Sequence, residues 1–439
     1  MGRIRAAFLL ILVALGLAGC WGYNEVNDLA FVTTAALDAG AAGGSGEAGG
    51  SGTAGGSGTA YRWTVAVPVP ELVLPASVGG GGSAAGGAAR TNLFRSAVGP
   101  APRAAAEALE AGFPREVRWS FADHVLIGEE AARRGLRPLL EMVSRAYRVE
   151  RRASLYVVRG QASSLLQSLH PALDRSLARS FDAIGRKNRP GTLRSVDANT
   201  LLRWLDTPGL DPFLPVVKAA EASGAVSPSP DGVALFRRDR LVGFLPPPLA
   251  DGLLMARGEA HPFMLSVRCP AAPGGAGGEA AQAPAGGRPG TVTFRVERNK
   301  ARVRVTPGPQ AGAGGVAPAA GSGPGGGSGV AGLPSFLIEV RLEAVLFEWD
   351  CAARTLDLAL VEAAGREAAR QARDRIRAAL GRAAELGVDP AGLGTAWYRH
   401  DPKGWRAAAP GWRQALRDLE PRVRVTVHVR GYQLTSAAP

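Results

Sequence analysis

The spacing of apolar residues changes along the chain, and each change marks an expected element. Leu29–Leu37 (LAFVTTAAL) and Tyr61–Val69 (YRWTVAVPV) are rich in β-branched and aromatic residues and predict β-strands. Arg103–Ala111 predicts a helix, and Val117–Phe121 and Val125–Ile127 predict strands. Gly128-Glu129-Glu130 opens a helix that stops at Gly135, and Pro138 opens another with Leu139, Met142, Val143 and Ala146 on one face. A strand at Leu155–Val158 and helical stretches at Leu165–Leu169 and Leu173–Ile184 follow. Pro208, Pro212 and Pro215 then punctuate the chain ahead of Ser227-Pro-Ser-Pro, where a boundary is expected.

The second half reads first as strands, at Val233–Phe236, Leu241–Leu245, Phe263–Arg268, Val292–Glu297, Ala301–Val305 and Phe336–Phe347. Leu360–Leu386 carries a long helical period. Val361, Ala364, Ala368, Ala372, Ile376, Ala379 and Ala383 form one stripe, and Arg366, Arg370, Arg373 and Arg377 lie opposite. Gly387 and Pro390 end it, and a short helix near Trp412–Leu419 and an alternating strand at Val423–Val429 close the pattern. Long strand runs with a few packed helices predict a multi-domain α+β fold with mixed or antiparallel sheets, not a βαβ repeat. The expected division is a leader at 1–19, an N-terminal α+β region at 20–222 and a C-terminal α+β domain at 223–439.

Composition accounts for the long gaps between these elements. Of 59 glycines in 439 residues, 34 fall in four stretches, Gly40–Ala60, Gly79–Ala89, Ala271–Gly290 and Thr306–Gly332. These have too few bulky apolar groups to offset the entropy of ordering and are expected to be disordered insertions. Three near-copies of a hexapeptide, Gly43–Ala48, Gly49–Ala54 and Gly55–Ala60, sit between two expected strands and read as an expanded hairpin loop. The glycines follow no three-residue period, which excludes collagen.

The formal charge is +13, from 51 Lys+Arg against 38 Asp+Glu. Only Lys187, Lys218, Lys300 and Lys403 are lysine; the arginines are spread over every segment without a run of five or six bases. That pattern argues against a nucleic-acid protein, which needs a clustered stripe or a known motif. A solvated basic surface with mild attraction to anionic lipid fits it.

The first twenty residues carry the strongest local signal. Arg3 and Arg5 precede an apolar or small-residue run from Ala6 to Ala18, which closes on Leu17-Ala18-Gly19-Cys20. About 13 residues fall short of the ~20 that span a bilayer and match a secretory signal ending in a lipobox. The expected chemistry is a thioether to diacylglycerol on Cys20, cleavage after Gly19, and acylation of the new amine with palmitate. Each buried CH₂ contributes ~0.8 kcal/mol, so several acyl chains hold a domain firmly at a membrane. Cys269 and Cys351 are open to either a disulfide or two free thiols.

A search for catalytic chemistry returns little. His124, His170, His261, His400 and His428 are scattered without metal-ligand spacing. Asp123 and His124 are adjacent on an expected strand, so their side chains point to opposite faces and do not form a dyad. GxGxxG occurs at Gly44–Gly49, Gly50–Gly55 and Gly321–Gly326, but no strand and helix flank it as a dinucleotide site requires. Trp397, Trp405 and Trp412 cluster as core indoles do. No catalytic, cofactor or metal residue is assigned, and the chain reads as a non-enzyme.

Five ordered pieces together resemble one family. Cys20-Trp21 leads into Asn24-Glu25-Val26-Asn27-Asp28-Leu29-Ala30; His124 precedes Ile127-Gly128-Glu129-Glu130-Ala131-Ala132-Arg133-Arg134-Gly135. Gly232–Phe236 with Asp239-Arg240-Leu241-Val242-Gly243-Phe244-Leu245 forms a hairpin motif. Gln371, Asp389 with Gly392-Leu393-Gly394, and Pro402-Lys403-Gly404-Trp405 ahead of Trp412 complete the set. In order and content these resemble the Ger(x)C spore-germination lipoproteins, the C subunits of nutrient germinant receptors. Gly22 stands where an acid is more usual, and the segment around Asp389 drifts from the family form. The resemblance implies a lipidated, non-catalytic subunit that assembles with integral-membrane A and B subunits on the outer face of the spore inner membrane. Two other readings are weaker. A lipid-anchored solute-binding protein needs paired βαβ lobes, and a cell-wall hydrolase needs a carboxylate or zinc constellation.

Overall fold

The structure, a computed structural model, describes residues 28–40, 60–68, 92–145, 149–171, 176–186, 195–260, 262–270, 290–307, 333–351 and 358–432. Cys20, the GxGxxG matches, the hexapeptide copies before Ala60, Ala146 and Leu173 lie outside them.

Strands in the first half are β1 (Leu29–Phe31), β2 (Thr34–Gly40), β3 (Ala60–Pro68), β4 (Asn92–Gly99), β5 (Glu116–Arg118) and β6 (His124–Gly128). They continue as β7 (Ser154–Val158), β8 (Val196–Asp197), β9 (Phe213–Ala222), β10 (Ala225–Arg237) and β11 (Arg240–Leu245). Nine of them form one sheet, ordered β11-β10-β9-β7-β6-β2-β3-β4 with β8 beside β7. Its centre is parallel, β2 with β6, β6 with β7 and β7 with β9, and its flanks are antiparallel. The helical crossovers are α2 (Glu129–Arg134) and α3 (Arg137–Ser144), then α4 (Ala162–Ser168), α5 (Leu177–Arg186) and α6 (Ala198–Asp206); α1 (Pro102–Ala111) precedes them. The fold is α+β with mixed sheets, yet this parallel centre is more βα-like than the strand runs suggested.

The central strands are buried on both sides, as parallel strands covered by helices must be. Alternate residues feed two cores: Leu37, Ile127 and Val157 face one, and Ala36, Leu126 and Tyr156 face the other with Phe181 of α5. The expected strand Leu29–Leu37 divides at Val32-Thr33, because adjacent amides find different partners. Val32 donates to the Arg118 carbonyl and Thr33 to that of Ala66. Thus β1 pairs with β5 in a separate two-stranded sheet, and β2 enters the large one.

Ser227–Pro230, expected at a boundary, lies inside β10. Pro228 and Pro230 pair with β9, on a stretch whose other side has only an isolated bridge to His170. A strand tolerates proline where no second ladder needs its N–H. The 222/223 division falls at the tip of the β9–β10 hairpin, where Ser223 and Gly224 both have positive φ, 50° and 75°.

The second half begins with α7 (Pro247–Arg257) and builds a four-stranded sheet, β12 (Phe263–Arg268), β13 (Thr291–Thr306), β14 (Ser335–Asp350) and β15 (Arg422–Tyr432). The two strands expected at Val292–Glu297 and Ala301–Val305 are one, β13, with a register shift between Val296 and Arg298. Cys269 and Cys351 form a disulfide across the ends of β12 and β14. One face of the sheet packs on α8 (Leu358–Glu385), whose seven expected stripe residues are all buried. The helices α9 (Leu393–His400), α10 (Pro402–Ala408) and α11 (Trp412–Ala415) follow. Trp397, Trp405 and Trp412 pack edge to face in this core at 5.3–5.9 Å between centroids. Among the described residues no helix is long and apolar enough to cross a membrane.

The expected hairpin loop has a direct test, because β2 and β3 pair antiparallel with Gly40 opposite Ala60. Replacing residues 41–59 by Asn-Gly closes the hairpin with a turn that suits its twist. Closure entropy rises slowly with loop length, so the melting temperature should stay within about 5 °C of the parent. A fall of more than about 10 °C by circular dichroism would show that the insertion carries contacts the fold requires.

Candidate functional site

The only titratable pair that the sequence singled out does not form a site. His124 sits at the start of β6 with 3 % of its surface exposed, between Tyr156 and Phe181 at ring distances of 5.9 and 5.4 Å. Its Nε2 lies 3.2 Å from the Asp182 carboxylate of α5, without hydrogen-bond alignment. Burial lowers its pKa against the pull of Asp182 and Asp123, which favours the neutral ring. The acid beside it is therefore Asp182, which sequence spacing did not indicate. A neutral imidazole set between Tyr156 and Phe181 packs as a core ring.

What the structure does assemble is a joint between the two halves. Asp211, in the loop before β9, is 6 % exposed. Arg413 of α11 meets its carboxylate with both guanidinium nitrogens, Nη1 to Oδ2 at 3.0 Å and Nη2 to Oδ1 at 2.9 Å. The amide of Asp389 donates to Asp211 Oδ2 at 2.9 Å, and the amide of Asp211 donates to the Asp389 carbonyl at 3.0 Å. A planar fork matched to a carboxylate fixes direction as well as distance.

Asp389 in turn organises the start of α9. Its Oδ1 accepts the amides of Gly392 and Leu393, and its Oδ2 accepts that of Gly394 at 2.7 Å. Three otherwise orphan donors of a helix start are satisfied by one side chain. Burial pushes the Asp389 carboxyl up to about 6, against the opposing effect of these three amides. Beside it, Gly209 and Gly394 bring their backbones into contact. A Cβ on Gly209 would lie 2.5 Å from the Gly394 carbonyl carbon, and one on Gly394 would strike the Trp405 ring. Thr395 Oγ1 donates to the Pro208 carbonyl at 2.9 Å, and Arg237 donates to that of Leu386.

Arg257, at the end of α7, completes the joint. It donates to the Pro390 carbonyl at 2.8 Å and stands over the stacked rings of Trp204 and Phe213. A groove of about 840 Å³ opens next to it, lined among others by Trp204, Leu210, Arg302, Thr395 and Arg399, and no acid lines it. A second joint lies within the first half. Asp239, in the β10–β11 turn, accepts the amide of Leu136 on its carbonyl and that of Arg137 on its carboxylate. The motif ending at Gly135 is thereby docked onto the hairpin motif. Among the described residues no cluster of His, Cys, Asp and Glu has the arrangement of a metal site.

Two outcomes follow for the joint. Removing Arg413 leaves the Asp211 carboxylate buried with backbone donors alone. Because Arg413 is 41 % exposed, the cost falls below that of a fully buried pair, at about 2 kcal/mol. Arg413→Ala should lower the urea midpoint accordingly, and Asp211→Asn in that background should add little. Asp389 gives a pH signature. Its folded pKa lies above the unfolded 3.8, so its contribution is greatest below pH 4 and declines as pH rises through about 6. Relative to Asp389→Asn, the parent should lose up to about 3 kcal/mol between pH 4 and 7 in urea unfolding. A constant difference across that window would show that Asp389 stays ionised throughout.

Comparison with known proteins bears on both halves. Residues 22–219 match a family model described as a spore germination protein N-terminal domain, and residues 231–433 match one described as spore germination B3/GerAC-like, C-terminal. The putative spore germination protein YfkR of Bacillus subtilis (strain 168) is 29 % identical over 243 residues, 54 % of this chain and 57 % of that protein. The match thus spans little more than half the length of that relative. The crystal structure of the GerBC protein superposes with a TM-score of 0.50 at 13 % identity, covering 84 % of this chain and 94 % of that one, a likeness of fold. The chain belongs to the GerAC-like family of spore germination proteins.

Proposed function

We propose that this chain is the lipid-anchored C subunit of a spore nutrient germinant receptor. It is held at the outer face of the spore inner membrane through Cys20 and assembled with integral-membrane A and B subunits. The observation that carries the reading is the tandem family match over residues 22–219 and 231–433. Two further observations support it. The lipobox Leu17-Ala18-Gly19-Cys20 supplies an anchor to a chain whose described helices do not cross a membrane. The polar side chains buried between the halves are spent on joining them, as in a part that transmits position and does no chemistry.

In this reading Cys20 carries S-diacylglycerol and N-palmitoyl groups after cleavage behind Gly19, and the two halves form one rigid ectodomain against its partners. Cys20→Ala tests the anchor. Palmitate labelling should be lost, the protein should move from the membrane to the soluble fraction of spore lysates as its three acyl chains are lost, and nutrient-triggered germination should slow about tenfold or more. Normal germination with a soluble, unacylated chain would remove the anchor from the mechanism. Labelling that persists in the variant would move the lipid to another residue.

A further inference from the structure

The outer face of the four-stranded sheet carries a cluster of basic side chains. Register places nine side chains of β13, β14 and β15 in three rows on that face. They are Lys300, Arg341 and Thr426; Arg302, Glu339 and Arg424; Arg304, Leu337 and Arg422. Six are cations and one is an acid; the next row on this face holds Arg298, Glu343 and His428, with Glu343 paired to Arg298 and Arg430. Glu339, at the centre, takes Arg304 at 2.5 Å and Arg424 at 3.6 Å. Lys300, Arg302, Arg341 and Arg422 are exposed, and none of them has an acid partner among the described residues.

Lys300 stands directly opposite Arg341, a like-charge cross-strand pair that weakens a sheet in water. The intervening residues Ala301, Val303, Ile338, Val340, Val423 and Val425 turn inward to the helices, so the charged face is free of the core. Strands ~4.8 Å apart with same-face residues ~7 Å apart set these bases in a two-dimensional array on one face.

We infer that this face docks flat on an anionic lipid surface, with Lys300, Arg302, Arg341 and Arg422 among the phosphate headgroups. The inference rests on the membrane residence proposed above and adds which surface of the ectodomain meets the bilayer. Charge complementarity selects the occupant. Six cations around one acid demand a dense negative surface, and an anionic leaflet supplies it in two dimensions without needing a matched shape. Each such lysine or arginine strengthens partition about fivefold near an anionic leaflet.

The test compares full-length chains on vesicles of phosphatidylcholine alone and with about 30 % phosphatidylglycerol, by sedimentation in low and in about 0.5 M salt. The leader, with Arg3 and Arg5, and Cys20 are common to every variant, so the difference between variants isolates the charge on the fold. The first variant is Lys300→Gln/Arg302→Gln/Arg341→Gln/Arg422→Gln, which orphans no carboxylate. The control, Arg366→Gln/Arg370→Gln/Arg373→Gln/Arg377→Gln, removes as many charges from α8. The parent should prefer phosphatidylglycerol vesicles at low salt, and the preference should vanish in high salt. The sheet variant should lose that preference at least tenfold, while the α8 control keeps it within about threefold. Equal losses in both variants would assign the attraction to diffuse net charge. A parent with no preference would overturn the lipid and leave an acidic protein surface as the occupant. Circular dichroism melts of both variants confirm that they fold. Because the assay contains no receptor partner, its failure is distinguishable from failure of the subunit reading, which germination reports.

Discussion

Asp211 holds the two halves in one relation. Its carboxylate is nearly closed to water, so each of its acceptor positions has to be met by protein, and the donors come from both sides. Arg413 and the Asp389 amide reach it from the second half, and the Arg238 amide reaches it at 3.3 Å from the end of β10. Losing any of these leaves a buried charge short of donors, which is costly in a way that losing a surface pair is not. The neighbouring contacts work in one direction only because this one fixes their distance. Gly209 meets Gly394 backbone to backbone, and Arg257 spans from Pro390 to the Trp204–Phe213 stack.

The motifs that resemble the family turn out to be pieces of such joints. Gly135 ends α2 where Asp239 of the hairpin motif takes the next two amides, so two separate motifs are two sides of one contact. Asp389 and Gly392-Leu393-Gly394 form a capping unit, and Gly394 also leaves room for the Trp405 ring of the motif that follows. Asp401 repeats the device one helix later by accepting the Gly404 amide. These residues hold backbone in place, and their side chains are spent on amides and packing.

Elements whose own pattern decides them were legible. The α8 stripe is a helical period over seven turns, and only one face of a helix satisfies it. Strands with alternating or continuous apolar runs, such as β6, β7, β12 and β14, were read near their bounds for the same reason. Elements decided by a distant partner were not. Pro228 and Pro230 of β10 argue for a break, and only the missing second ladder makes them admissible. The short α9 and α10 lack an apolar period of their own and start at capping carboxylates. The Asp211–Arg413 pair joins residues 202 apart in sequence, a contact that no local spacing announces. Cys269 and Cys351 were undecided for the same reason; β13 between them brings their strand ends together.

Arginine count and arginine placement carry different information here. On α8 four of the six bases have acids beside them, Glu362 with Arg366, Glu367 with Arg370, Asp374 with Arg373 and Glu385 with Arg382. A chain rich in arginine through composition alone scatters bases, and acids settle near them at little cost or gain. The sheet face departs from that arrangement by its acids. Across its three rows one glutamate pairs with two of six bases and four have no acid partner among the described residues, while the next row holds Glu343 with Arg298 and Arg430. A face that keeps four bases without acid partners bears self-repulsion in free solution, and a fixed counter-charge in the surroundings relieves it. A bilayer leaflet is such a counter-charge for any protein held beside it, and the four bases without an acid partner lie on one face, where they can meet it together.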